Sequence, residues 1–148
     1  MGEITENKVE NRVRIEMDAK SRNESFARLA VAAFVSELDP LVSDVIDIKT
    51  AVSEAVTNAI IHGYEDSPGT VYIDLKLTDG VITVTIKDDG VGIDDISRAM
   101  EPLYTSKPEE ERSGMGFTVM EAFMDSIIVR SEKGRGTEVI MTKKLSDV

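Results

Sequence analysis

The sequence predicts an α+β two-layer sandwich, in which helices cover one face of a largely antiparallel sheet. Two runs of alternating apolar residues flank Asp79-Gly80, a dipeptide typical of a tight β-hairpin turn. Two segments with apolar residues at helical spacing precede this hairpin, and a further helix and a second strand pair follow it. The predicted order is therefore β-α-α-β-β-loop-α-β-β.

The first half of the chain is predicted to form one strand and two helices. Residues 13–17 alternate between apolar and polar, as in a half-buried strand. A capping box, with Ser21 as N-cap and Glu24 as third helical residue, predicts where the first helix begins. A second helix should run from about residue 41 to 61. The apolar positions expected along the first helix are Phe26, Leu29, Ala30, Ala33, Phe34 and Leu38.

The second half is predicted to be built mainly from strands. Residues 71–77 and 82–86 form the hairpin. The remaining predicted segments are a short helix at 94–100, a mobile polar loop at 102–112, a helix from Gly116 to about 124, and strands at 127–130 and 137–142.

Composition restricts the classes of function. The 148 residues should form one domain, with residues 1–10 as a flexible N-terminus. The formal net charge of -11 repels phosphate backbones and argues against nucleic-acid binding. The absence of Cys excludes disulfides and thiolate chemistry, and the single His excludes a multi-histidine metal site within one chain. Without an apolar stretch of membrane-spanning length or a signal peptide, we expect a soluble cytoplasmic protein that does not bind membranes.

A polar stripe interrupts the second predicted helix. Glu54, Asn58 and His62 are spaced four apart and therefore lie on nearly the same face. An Asn oxygen suits Mg²⁺, and a carboxylate one turn away could orient or deprotonate a hydroxyl. An ordinary solvated helix face would show the same pattern.

Two glycine-containing loops complete a candidate nucleotide pocket. Asp88 ends a predicted strand, and Gly90 and Gly92 allow close backbone approach, so the carboxylate could accept the exocyclic amine proton of adenine. Gly114 and Gly116 open a helix, whose free N–H groups favour an anion such as phosphate. Alone, the first loop could be a simple acidic turn and the second a flexible helix cap.

In this order and spacing, the three segments resemble the Bergerat (GHKL) family of ATP-binding domains. Glu54-x-x-x-Asn58 matches its N box, Asp88-x-Gly90-x-Gly92 its adenine box and Gly114-x-Gly116 its phosphate box, while residues 101–113 stand where the family has an ATP lid. Within this family, residues 24–28, 52–64, 102–108 and 111–117 look like those of the anti-sigma serine kinases of sporulation.

The resemblance implies ATP or ADP and Mg²⁺ as cofactors. It implies that Asn58 holds Mg²⁺ on the phosphates, that Glu54 is the general base for an acceptor serine, and that Asp88 binds adenine in a pocket shaped by Gly90 and Gly92. The residues implied to meet the phosphates are Thr105, Ser106, Lys107, Gly114, Met115 and Gly116.

The resemblance also implies protein partners. These are an RNA polymerase sigma factor, held inactive when ATP is bound, and an anti-anti-sigma protein phosphorylated on serine. Arg28, Glu111 and Arg112 are candidates for the partner surface, although solvated charges would look the same. A homodimer formed through the sheet edge near the first strand is also expected.

Two alternatives remain open at this stage. One is an anti-sigma kinase of the general stress response, which differs in partner rather than in chemistry. The other is a nucleotide-gated binding module without significant kinase activity. Glu54 favours a kinase, because a pure nucleotide sensor has less need of a base at that position.

Overall fold

The computed structural model describes residues 9–101 and 116–145. The predicted flexible N-terminus and the predicted lid therefore lie largely outside the described residues. The elements in chain order are β1 (Val9–Asp18), α1 (Asn23–Ser36), α2 (Val42–Asn58), a π-helix (Ala59–Gly63), β2 (Thr70–Thr78), β3 (Val81–Asp88), α3 (Ile96–Ala99), α4 (Gly116–Phe123), β4 (Ser126–Glu132) and β5 (Gly136–Lys144).

The five strands form one sheet in the order β1-β2-β3-β5-β4, and each pairing between these strands is antiparallel. Alternate residues of β2 and β3 are buried, because one face of the sheet lies under the helices. α2 lies at the centre of the helical layer, where it packs against both α1 and α4. The predicted α+β sandwich is confirmed.

The hairpin between β2 and β3 turns at the predicted residues. Val71 pairs with Asp88, so the end of β3 lies beside the start of β2. Asp79 and Gly80 occupy the turn with φ of 49° and 76°. Two left-handed residues in a row match the twist of the flanking strands, which explains why Asp-Gly is suited to this position.

The start of α1 differs from the prediction. Arg22 is the N-cap, and no side chain caps the helix, so the predicted capping box is wrong. The Glu24 carboxylate instead accepts a hydrogen bond from the Ser53 hydroxyl of α2 and lies 3.3 Å from the Arg28 guanidinium. A tertiary contact with α2 therefore replaces the local cap.

The buried face of α1 is also displaced from the predicted one. Phe26 and Leu29 are 57% and 65% exposed, whereas Ala27 and Val31 are completely buried. Spacing identified the helix correctly, but the first helix has apolar residues on more than one face. Helical periodicity alone does not say which of two apolar stripes faces the core.

The end of the second predicted helix is a π-helix rather than an α-helix. The Tyr64 N–H donates to the Ala59 carbonyl oxygen at 3.0 Å, five residues back. Such a wider turn changes the direction of the last residues, and π-turns are frequent at functional sites. None of the helices in the described part of the chain has the length and apolar character needed to cross a bilayer.

Candidate nucleotide-binding site

A cavity of about 440 Å³ opens where α2, the loop after β3, β5 and the start of α4 meet. Asn58 lines it from the end of α2, Gly92 from the loop, Thr137 from β5 and Gly116 from α4. Segments far apart in sequence thus converge on one space. Its size is in the range of small-molecule and cofactor sites.

Asp88 is a buried carboxylate in the cavity wall. It is the last residue of β3 and only 4% exposed. Burial raises the pKa of Asp88 to about 6, against the opposing effect of hydrogen bonds from the backbone N–H groups of Gly90 and Thr137. The Gly90 N–H donates to Asp88 Oδ1 at 2.9 Å. A buried acceptor of this kind suits a ligand group that donates a hydrogen bond.

Two glycines allow the end of the π-helix to meet the Asp88 loop. A Cβ on Gly63 would lie 2.7 Å from the Asp88 carboxyl group, and a Cβ on Gly90 would lie 1.9 Å from the Gly63 carbonyl oxygen. The same carbonyl accepts a hydrogen bond from the Val91 N–H at 2.8 Å. Any side chain at either position would therefore separate the loop from the helix.

The turn between β4 and β5 supports the loop from the other side. The Gly134 N–H donates to the Val91 carbonyl oxygen at 2.6 Å. Gly92 has a φ of 76°, and a Cβ there would lie 2.1 Å from the Glu132 carbonyl oxygen. The loop is thus fixed between the π-helix and this turn.

The predicted polar stripe divides between two clefts. Asn58 and His62 line the main cavity, but Glu54 does not. Glu54 instead lines an adjacent cleft of about 290 Å³, together with Arg28 and Ser53. Two predicted site residues, the base candidate and the partner-surface candidate Arg28, therefore share this second cleft.

The start of α4 forms one wall of the main cavity. Gly116 is buried and, with Phe117 and Thr118, lines the cavity at the N-terminal end of this helix. A helix N-terminus favours an anionic group through its free N–H groups and its dipole. The predicted site residues that lie outside the described part of the chain are Thr105, Ser106, Lys107, Glu111, Arg112, Gly114 and Met115.

The sequence-based prediction missed Gly63 and Gly136 as parts of this site. A Cβ on Gly136 would lie 2.0 Å from the Asp88 carbonyl oxygen, so this glycine brings β5 against the strand end that carries Asp88. Gly63 could have been found from its place just after a helix, but at Gly136 no pattern distinguishes close approach from an ordinary turn.

Comparison with known proteins agrees with this geometry. Residues 17–143 match the model of the histidine kinase-like ATPase domain family. The chain is 59% identical over 138 residues to the anti-sigma F factor of Clostridium acetobutylicum, covering 93% of this chain and 96% of the relative. It is 58% identical over 139 residues to the anti-sigma F factor of Clostridium perfringens strain SM101, covering 93% and 99%.

A solved structure shares the fold. It contains the RsbU and RsbW domains of a Mycobacterium tuberculosis protein, and it matches with a TM-score of 0.66 at 23% identity, over 91% of this chain and 32% of the other. The matches to the family model and to the relatives extend over most of the chain. The chain therefore belongs to the anti-sigma F factor family and carries a histidine kinase-like ATPase domain.

Proposed function

We propose that this anti-sigma factor is an ATP-dependent serine/threonine protein kinase, which binds and inhibits a sporulation sigma factor and phosphorylates a serine of an anti-anti-sigma partner. One observation carries the proposal. The main cavity is lined by Asp88, Asn58 and the start of α4, and the cleft holding Glu54 lies one helical turn away along α2.

The main cavity offers a separate group to each part of ATP. The buried Asp88 carboxylate would accept the exocyclic amine proton of adenine, and the end of α4 would lie against the phosphates. Asn58 offers one neutral oxygen. This fits Mg²⁺, which takes few protein ligands and shares phosphate oxygens; bound there, it would neutralise charge on the transferred group.

Among residues 9–101 and 116–145, no group of three His, Asp or Glu side chains could hold a metal ion. An ion held in this part of the chain would therefore rely on Asn58 and the nucleotide.

The second cleft suits an approaching hydroxyl. Glu54 would take the proton from the acceptor serine as its oxygen bonds to the γ-phosphorus, and ADP would leave with the electron pair of the broken bond. Arg28 shares this cleft and is held by Glu24 at 3.3 Å, which would present its charge to the partner. A partner carrying the serine would thus dock over α1 and α2.

The remaining partner assignments belong to the same proposal. β1 is at one edge of the sheet and pairs on one side with β2, which supports a homodimer through that edge. Glu111 and Arg112 would extend the partner surface. We place the protein in the cytoplasm, where sigma factors meet RNA polymerase.

A phosphotransfer assay tests the proposal. Purified protein, Mg²⁺ and γ-labelled ATP are incubated with the anti-anti-sigma protein of the same organism, using wild type, Glu54→Gln and, as a control on the exposed face of α4, Glu121→Gln. We expect acid-stable label on the partner with wild type and Glu121→Gln, and at least a hundredfold lower rate with Glu54→Gln, as for a general base. Equal rates in all three would exclude Glu54 as the base.

A nucleotide-gated binding module is the second candidate, because Glu54 lies outside the main cavity. Wild-type protein that binds ATP but transfers no label would favour it. An acid-labile label would instead indicate histidine phosphorylation.

A further inference from the structure

Tyr64 connects three parts of the site although its side chain is outside the cavity lining. It follows the π-helix directly, and its ring packs against the core. Its hydroxyl donates to the Thr70 carbonyl oxygen at 2.5 Å and accepts from the Asp89 N–H at 2.8 Å. One hydroxyl thus joins the start of β2 to the loop after β3.

The bond to Asp89 fixes the peptide group that follows Asp88. Tyr64 holds the N–H side of this peptide, while Gly136 lies so close to its carbonyl side that a Cβ would be 2.0 Å from the Asp88 oxygen. With both sides held, the backbone that carries the Asp88 carboxylate has little freedom to rotate.

Gly69 makes room for this arrangement. A Cβ on Gly69 would lie 2.4 Å from the nearest carbon of the Tyr64 ring. The glycine is required here for space, because any side chain at this position would displace the ring that carries the hydroxyl. Nothing in the alternation of the strands predicts this contact.

We infer that Tyr64 is a positioning residue for base selection: by holding the Asp88–Asp89 peptide, it orients the Asp88 carboxylate towards the exocyclic amine of adenine. This rests on the role proposed above for Asp88. The ligand class it favours is therefore adenine nucleotides over purine nucleotides that have a carbonyl group in place of the amine, such as IDP.

The test compares Tyr64→Phe with Tyr72→Phe. Tyr72 is a matched control because it also interacts with Asp89. It does so through the Asp89 carboxylate, whose charge raises the pKa of Tyr72, and not through the Asp89 N–H. Dissociation constants for ADP and IDP are measured by titration calorimetry with Mg²⁺. The ADP-to-IDP preference is the readout, because any unfolded fraction weakens both affinities equally and leaves their ratio unchanged.

We expect wild type and Tyr72→Phe to prefer ADP to the same extent. In Tyr64→Phe the preference should fall about fivefold, the typical effect of losing one hydrogen bond, here the one from the Asp89 N–H, with IDP affinity nearly unchanged. An equal loss for ADP and IDP, or an equal fall in preference in Tyr72→Phe, would overturn the inference. No preference in wild type would overturn the role of Asp88 itself, while the phosphotransfer assay would still report on kinase activity.

Discussion

Asp88 shows how burial gives an ordinary side chain a specific property. Its carboxyl group is 4% exposed, and burial raises its pKa to about 6 despite hydrogen bonds from two backbone N–H groups. At pH 7.5 the group is still mostly ionised, so both of its oxygens can accept hydrogen bonds. The unliganded protein therefore carries a buried negative charge that a ligand donor would compensate.

Asp88→Asn should stabilise the unliganded protein at pH 7.5. Because the pKa of Asp88 in the folded protein lies above the ordinary aspartate value of 3.8, the stabilisation associated with protonated Asp88 is present below pH 4 and is lost as the pH rises through 6. This shift in pKa corresponds to at most roughly 3 kcal/mol of folding free energy. Urea unfolding of wild type and Asp88→Asn between pH 4 and 8 measures how the difference in their free energies of unfolding changes with pH.

The control for this prediction is Asp89→Asn, the same chemical change at the exposed neighbouring residue. It should alter the free energy of unfolding by less than about 0.5 kcal/mol at any of these pH values. A stability difference between wild type and Asp88→Asn that does not change with pH would contradict the assigned pKa.

The site depends on the loop after β3, which is fixed between the π-helix and the β4–β5 turn. The π-helix contacts the loop through the Gly63 carbonyl, and the β4–β5 turn contacts it through Gly134. The backbone of Gly90 lies closer to the Gly63 carbonyl than a side chain permits, and the backbone of Gly92 lies similarly close to Glu132 in the turn, whereas a Cβ on Gly134 would meet no atom within 4 Å. Glycine thus has different functions at different positions, supplying space at Gly90 and both space and a left-handed conformation at Gly92.

Gly92→Ala should displace this loop and weaken nucleotide binding at least tenfold, because the new Cβ would meet the Glu132 carbonyl oxygen at 2.1 Å. Gly134→Ala is the matched control. It has a similar φ of 83°, but no atom lies within 4 Å of the new Cβ, so it adds only backbone strain of about 1–2 kcal/mol. Nucleotide titrations of both variants compare the two effects; equal losses of affinity would show that strain, not the clash, is responsible.

One hydrophobic core joins the helical layer to the sheet. At the edge of this core, Lys143 of β5 links the sheet to the helices. Its ammonium group donates to the Phe123 carbonyl oxygen at 2.8 Å and lies 3.5 Å from the Asp47 carboxylate. Met120 of α4 is fully buried in the same core. α4, whose first residues line the cavity, is therefore held in place by the burial of Met120 near its middle.

Met120→Ala should lower the free energy of unfolding by about 2–5 kcal/mol, since it removes buried methylene groups and leaves a cavity. Glu121→Ala, one residue along on the exposed face, should change it by less than about 0.5 kcal/mol. Denaturant unfolding measures both, and a similar small effect for the two would mean that α4 is not part of the cooperative core.

Local patterns in the sequence were sufficient for the hairpin and the two long helices, whereas the expectation that Asn58 and Asp88 share a site came from the family resemblance of the combined segments. Alternation and helical spacing reflect burial over a few neighbouring residues, and Asp79-Gly80 has the conformational preference that the turn requires. The tertiary structure decided three further features: which face of α1 is buried, the separation of Glu54 from the main cavity, and the contacts of Tyr64 and Gly136. Each depends on which distant backbone lies opposite the residue, and short-range periodicity carries no information about that.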